Sequence, residues 1–188
     1  MTAITQAHAE WAVIDRLRAM LNEPPHKKYN VTQSYGLFVA ILTWVMQRVR
    51  TPENSTNSTE DSAAISMKAD LEAKKVEELP WGLKTDGCES LSHHFAGLSA
   101  FDFLKRLRNA CCHGDARTVF PVNRNEELIG FQLQMRSYKD NTLRPVLFME
   151  EDLRRIGSAL ADLYCKRPGE SLSKFGDTQS MVEMKGSV

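Results

Sequence analysis

The sequence predicts a mainly α protein: a bundle of about four to five helices with a small antiparallel β insert before the last helix. In several segments apolar residues recur every three or four positions, which is the spacing of an amphipathic helix. After residue 117 the spacing changes to every second residue, which is typical of half-buried strands, and it becomes helical again at residue 150. The length of 188 residues fits one domain. We place that domain at residues 1–167 and predict a disordered tail at 168–188, where Gly, Ser and charged residues dominate.

The first two helices have clear apolar faces and clear ends. The first is predicted at residues 3–21 and stops before Pro24, because proline lacks the backbone donor that a continuing helix needs. The second is predicted at residues 32–50 with a wide apolar face, and it stops before Pro52.

The middle of the chain is more polar. Residues 51–62 contain no large apolar side chain, so burial cannot offset the entropy of ordering them, and we predict a mobile loop. A third helix is predicted at residues 63–79, ending at Pro80, with a weak apolar stripe that suggests a peripheral position. Residues 81–97 are predicted to be a connector.

The fourth helix begins with a capping pattern. Ser99 followed by Asp102 is typical of a helix start, because the serine side chain accepts from a free backbone donor. Gly114 stands where helices commonly end in a left-handed residue. The predicted buried stripe consists of Phe101, Leu104, Leu107 and Cys111. The segment from Arg108 to His113 is therefore expected to be the last turn of a well-anchored helix.

The β insert is predicted at residues 117–148. Within it, residues 129–136 alternate between apolar and polar side chains, as a half-buried strand does. Two shorter strands are predicted at 118–122 and 145–148, with a polar turn at 123–126. A final helix is predicted at residues 150–165, where three acidic residues at its start complement the positive end of the helix dipole.

Composition excludes some classes of function. The formal net charge is zero, so bulk charge does not attract the chain to nucleic acid or to a membrane surface, and any polyanion site must be local. The most apolar segment, residues 35–49, is too short and too polar to cross a bilayer. The N-terminus lacks a basic start followed by an apolar run. We therefore expect a cytoplasmic protein without a membrane partner.

The cysteines suggest a reducing compartment. The chain has four, without a Cys-x-x-Cys pair, and free thiols are the simplest interpretation. The alternative is a zinc site drawn from Cys88, His93 or His94, and Cys112 or His113. Because that set lacks the close paired spacing of structural zinc sites, we expect no metal and no cofactor.

Arg108 and His113 are the candidates for chemistry. Cleavage of a phosphodiester without a metal needs a group that moves protons near neutral pH and a fixed positive charge for the phosphate, and His and Arg meet those needs. Five residues span about 140° on a continuing helix, so the two side chains can meet only if the helix ends near Cys112. Asn109 precedes His113 by four residues and is expected to orient its imidazole.

A local basic patch accompanies the pair. Residues 105–125 contain five basic residues and one acidic residue, for a local net charge of +4. They are Lys105, Arg106, Arg108, Arg117 and Arg124, with Asp115 as the acid. The patch could hold a phosphate backbone, with Lys105, Arg106, Asp115 and Arg117 as the candidate nucleic-acid-binding residues. Asp115 and Arg117 could equally form a surface ion pair. From the residues alone, a structural or surface role for Arg108, stabilised by the helix dipole at a helix C-terminus, is favoured over catalysis by about two to one.

The segment from Arg108 to His113, placed at the end of a long helix, resembles the HEPN superfamily of RNases. The motif of that family is an arginine, often followed by a polar residue, and then a histidine four to six residues later; Asn109 holds the polar position. The resemblance covers residues 99–165, including a hairpin insert before the last helix. It implies a HEPN-like bundle that works as a homodimer and as a metal-independent endoribonuclease, with attack by the ribose 2′-hydroxyl.

The resemblance also implies roles and partners. His113 would act as general base or acid, Arg108 would bind the phosphate, and Asn109 would position His113 or the RNA. Such proteins are often toxins or defence effectors, so a cognate antitoxin protein is an expected partner. Two alternatives stay open: a non-catalytic HEPN-like dimerisation or nucleic-acid-binding module, and a helical structural or regulatory protein.

Overall fold

The computed structural model describes residues 9–25, 28–50, 58–78, 94–113 and 118–165. Within these ranges the chain forms five α-helices, one 3-10 turn and a three-stranded antiparallel sheet. The elements are α1 (Ala9–Asn22), α2 (Asn30–Arg50), α3 (Ser58–Ala73), the 3-10 turn (Val76–Glu78), α4 (Ala100–Cys112), β1 (Val119–Arg124), β2 (Glu127–Arg136), β3 (Leu143–Met149) and α5 (Glu150–Cys165). The predicted fold class, mainly α with a β insert before the last helix, is confirmed.

Helix α2 lies at the centre of the core and contacts α1, α3, α4, α5 and β2. Its sequence carries no charged residue between Val31 and Gln47, which lets it be surrounded on several sides. Its fully buried side chains include Phe38, Ile41, Leu42 and Val45. They pack with the apolar faces of α1 and α5 to form a core from three helices.

No helix in the described ranges is long and apolar enough to cross a membrane.

The sheet is a meander in the order β1–β2–β3. Phe131 of β2 pairs with Pro121 of β1 and with Phe148 of β3, and Phe148 packs on Phe38 of α2. The turn between β1 and β2 consists of Asn125 and Glu126, both with left-handed φ angles of 50° and 68°. It is therefore shorter than the predicted turn at 123–126, because a two-residue hairpin turn matches the twist of the strands.

The predicted helix at 63–79 and the loop before it are wrong at both boundaries. Helix α3 begins at Ser58, inside the predicted loop. It ends at Ala73, before the predicted end. Lys75 forms a β-bridge with Ser99 instead, so pairing with a distant segment replaces the helical hydrogen bonds.

The other boundaries agree more closely with the predictions. Helix α5 spans the predicted residues 150–165, and β2 contains the predicted 129–136. Helix α2 begins two residues earlier than predicted, at Asn30. Predictions for residues 1–8, 51–57, 79–93 and the tail 168–188 lie outside the described residues.

Candidate functional site

Helix α4 is fixed firmly at its start. The Ser99 hydroxyl accepts a hydrogen bond from the Asp102 backbone N–H at 3.1 Å, which confirms the predicted cap. The predicted buried stripe is correct for Leu104 and Leu107 and wrong for Phe101, which is only half-buried like Cys111. The other buried residues are Ala100, Phe103 and Ala110. The buried face is rotated from the predicted one because α2, α3 and β2 all contact α4 and together cover these residues.

The end of α4 redirects the chain. His113 has φ −106° and ψ 11°, outside the helical region, although its N–H still donates to the Asn109 carbonyl at 3.0 Å. The Thr118 hydroxyl donates to the Ala110 carbonyl at 3.1 Å and satisfies one of the last helical acceptors. The helix thus ends at Cys112, and the predicted Gly114 terminus lies outside the described residues.

This exit brings Arg108 and His113 into contact. Arg108 Nη1 lies 3.0 Å from His113 Nε2, and the same nitrogen donates to Asn109 Oδ1 at 3.1 Å. The side chain of Asn109 therefore holds the guanidinium and not the imidazole, contrary to the expected role. The reason is that His113 leaves the helical path, so the face that it would share with Asn109 on a continuing helix is lost. We call these three residues the Arg–His cluster.

The hydrogen-bond chemistry of the Arg–His cluster defines which atoms donate and which accept. A guanidinium only donates, so His113 Nε2 is the acceptor in this contact. Both hydrogens of Arg108 Nη1 are engaged, one by His113 and one by Asn109. Among the described residues, neither a further acceptor nor a carboxylate pairs with Arg108. Three of its N–H groups, on Nη2 and Nε, thus remain available to an anion.

Helix α2 contacts the two cysteines at the end of α4. Thr43 Oγ1 and Cys112 Sγ lie 3.0 Å apart. Burial, together with neighbouring Cys112, raises the pKa of the Cys111 thiol to about 12, and Tyr35 hydrogen-bonds to it. Burial and Cys111 likewise raise the pKa of the Tyr35 phenol. Cys111 is therefore a neutral packing group near neutral pH, and neither thiol contacts Arg108.

Sequence reasoning missed Tyr35 and Thr43. Both precede the cluster by more than sixty residues in the chain, and nothing in the local pattern of α4 identifies its neighbours. The only available signal was that their hydroxyl groups stand two turns apart on an otherwise apolar flank of α2.

The predicted RNA-binding residues separate in space. Lys105 is exposed and lies one turn before Arg108, on a nearby face of α4. Arg106 lies about 200° around the helix from Arg108 and donates from Nη1 to the Arg136 carbonyl at 2.8 Å, so it contacts the sheet instead. Arg124 is at the far end of β1. Asp115 and Arg117 lie outside the described residues. Of the members of the predicted basic patch that the structure describes, Lys105 and Arg108 therefore lie on one surface.

An open groove of about 970 Å³ lies elsewhere, between the hairpin turn and the starts of α2 and α5. Its lining includes Glu126, Glu127, Glu150 and Glu151, with Lys28 as its basic residue. None of the Arg–His cluster lines it. Four carboxylates repel a phosphate backbone, so this groove is a poor site for RNA.

Among the described residues, no three His, Cys, Asp or Glu side chains converge in a way that could hold a metal ion. The zinc alternative also involves Cys88 and His93, which lie outside those residues. In comparisons with known proteins, no family model, no curated protein and no solved structure matches this chain.

Proposed function

We propose that this protein is a metal-independent endoribonuclease of the HEPN type, with Arg108 and His113 as its catalytic residues. The observation that carries the proposal is the 3.0 Å contact between Arg108 Nη1 and His113 Nε2. A proton-transfer group and a guanidinium without a carboxylate partner thus meet at one exposed helix end of the described chain. A purely structural arginine would more simply contact the free carbonyls of its own helix end. Arg108 instead donates to two side chains.

The proposed reaction needs only these groups and water. The ribose 2′-hydroxyl gives its proton to water as its oxygen attacks the adjacent phosphorus. The bond from phosphorus to the 5′-oxygen breaks, protonated His113 acts as general acid and gives its Nε2 proton to the leaving oxygen, and a 2′,3′-cyclic phosphate remains. The free N–H groups of Arg108 donate to the non-bridging phosphate oxygens, where negative charge develops in the transition state. Asn109 positions Arg108 by accepting from Nη1.

We propose further that the active form is a homodimer and that the exposed ridge of α2 forms part of the interface. Gly36 and Gln47 are exposed on this ridge, and Trp44 is 43% exposed, with no charged residue from 31 to 47. A Cβ at Gly36 would meet no atom within 4 Å, so a neighbouring backbone can approach closely there. An uncharged ridge with an exposed tryptophan suits a second protein surface better than it suits water. The ridge borders Thr43, which contacts the last residue of α4.

The proposed setting is the cytoplasm, where such an enzyme acts as a toxin or defence effector and is held inactive by an antitoxin protein. The resemblance to the HEPN superfamily supports this part of the proposal. The reducing environment suggested by the free thiols Cys111, Cys112 and Cys165 agrees with it.

One experiment tests the catalytic claim. Purified protein is incubated with RNA in EDTA, and cleavage rates are compared for the wild type, His113→Ala and Arg108→Ala. Each variant is expected to lose about 10² to 10⁴ in rate, which is the usual contribution of a general acid or base. His94→Ala is the matched control, since His94 is another histidine outside the cluster, and it should cut normally. A folded wild type that leaves RNA intact under all conditions would refute the proposal.

A second candidate is a non-catalytic nucleic-acid-binding module. It is favoured by the fact that Arg108 donates to the Nε2 lone pair of His113, so Nε2 cannot carry a proton for transfer while this contact holds. RNA that is retained in a filter-binding assay but never cut, with binding lost in Arg108→Ala, would support this candidate over the nuclease.

A further inference from the structure

We infer that the Arg108–His113 contact is a proton-linked latch, so that a phosphodiester binds to the Arg–His cluster together with one proton. The inference rests on the proposed function for the location of the site and adds how that site is regulated. In the resting state the latch is closed by a hydrogen bond from Arg108 Nη1 to neutral His113 Nε2, 3.0 Å long. In the loaded state the latch is open and both side chains donate to the anion.

The closed latch requires a neutral imidazole. When Nε2 gains a proton, it can no longer accept, and two cationic groups face each other at the distance of a hydrogen bond. Like charges at that separation repel strongly, so the contact must break unless an anion intervenes. A phosphate oxygen between the two groups accepts from both and removes the repulsion. Proton and phosphodiester therefore favour the same open arrangement and each promotes the binding of the other.

Within the described residues, no charged side chain other than the pair itself takes part in this linkage. Among the described elements, α2, α3 and β2 make the main contacts with α4. Near the cluster, α4 carries Lys105 and the two thiols, and α2 contributes the Tyr35 phenol, which is engaged by Cys111. The remaining charged groups on these elements whose side chains the structure describes are Arg48 on α2, Lys68, Asp70 and Glu72 on α3, and Glu127 and Arg136 on β2.

None of those charged groups hydrogen-bonds to Arg108 or His113 or forms an ion pair with them. Lys68 lies over the ring of Phe101, near the start of α4. Arg136 lies with its carbonyl at Arg106, on the opposite side of α4 from Arg108. The Arg108 guanidinium donates to Asn109 and His113. Among the described residues, no carboxylate pairs with either Arg108 or His113 to compete with an incoming phosphate.

Opening of the Arg108–His113 contact takes up one proton. The proton moves from solvent to His113 Nε2, and the Nη1 hydrogen that pointed at Nε2 turns to a phosphate oxygen. Because one proton accompanies each anion, affinity for the anion should fall about tenfold for each pH unit above the titration midpoint of free His113. Well below that midpoint the latch is already open, and affinity should no longer change with pH.

The probe is a short oligothymidylate, whose phosphodiesters keep their charge from acid to weakly basic pH and which lacks the attacking 2′-hydroxyl. Calorimetric titrations at about pH 7.5, in buffers of different ionisation enthalpy, measure the protons taken up on binding. We expect uptake approaching one proton there and close to none well below the histidine midpoint. The His113 ring proton signals, followed by NMR, should show the midpoint moving to higher pH when the probe is bound.

Two variants sharpen the test. In His113→Gln the amide oxygen can still accept from Arg108 and the amide cannot titrate, so binding should continue with no proton uptake and no pH dependence. His94→Gln removes a histidine outside the cluster and should keep the uptake of the wild type. The inference is overturned if the wild type binds without proton uptake, if His113→Gln keeps the same uptake, or if the wild type does not bind at any pH.

RNA cleavage by the same preparations separates this inference from the proposed function. Cleavage that depends on His113, with anion binding that takes up no proton, leaves the nuclease standing and removes the latch. Proton-linked binding without cleavage of any RNA leaves the latch standing and removes the nuclease.

Discussion

Glu150 joins the starts of two helices, and its removal should destabilise the fold measurably. It is the first residue of α5, and its carboxylate accepts from Asn30 Nδ2 at 2.6 Å and from the Ser34 hydroxyl at 3.2 Å, both on α2. Ser34 is fully buried, so Glu150→Ala leaves its hydroxyl without an acceptor, at a cost of about 1–2 kcal/mol. The lost bond to Asn30, which is only half-buried, adds about 0.5–1 kcal/mol.

The expected total is about 1.5–3 kcal/mol, measured as the free energy of unfolding in urea at neutral pH. For a domain of this size the thermal midpoint should fall by roughly 5–10 °C. Glu151→Ala is the matched control, because Glu151 is exposed and shares the favourable position in the first turn of α5. The hydrogen bonds from Asn30 and Ser34 of α2 go to its neighbour Glu150 instead.

A double-mutant cycle with Ser34→Ala tests whether the buried hydroxyl is the main cost. If it is, Ser34→Ala should destabilise the Glu150→Ala background less than it destabilises the wild type, by about 1 kcal/mol. Equal losses for Glu150→Ala and Glu151→Ala, or a cycle without coupling, would refute this explanation.

Three further predictions concern other parts of the molecule. Iodoacetamide at about pH 8 should modify exposed Cys112 well before Cys111, because burial raises the Cys111 pKa to about 12; mass spectrometry of digested protein measures this, and equal rates would contradict it. Hydrogen bonds from Arg144 and Thr142 hold the pKa of Asp140 below its usual range. These bonds to the Asp140 carboxylate therefore stabilise the folded state fully above about pH 4, and this stabilisation is lost as the pH falls further. Asp140→Asn should therefore flatten the loss of stability in urea between neutral pH and about pH 3, and an unchanged slope would oppose this. Gly36→Arg fills open space and should convert a dimer into a folded monomer in sedimentation; a dimer that persists would exclude this ridge as the interface.

The sequence by itself determined the elements whose signals are local. The apolar spacing of α5 and the alternation along β2 give their positions, and the pairing of Ser99 with Asp102 gives the start of α4. Each of these signals depends on hydrogen bonds or side chains within a few residues along the chain, so they can be recognised without knowing the neighbours. The same local reasoning placed the end of α4 near Cys112, where Arg108 and His113 can meet.

Only the tertiary structure decided which side chains the cluster touches. Arg106 and Arg108 are two residues apart and point to different sides of α4. Arg106 donates to β2, which packs on its side of the helix, while Arg108 donates to His113. The end of α3 was likewise set from a distance, by the bridge between Lys75 and Ser99. The hydrogen-bond partner of a side chain depends on which distant segments pack beside it. The sequence pattern of one helix does not show which segments these are.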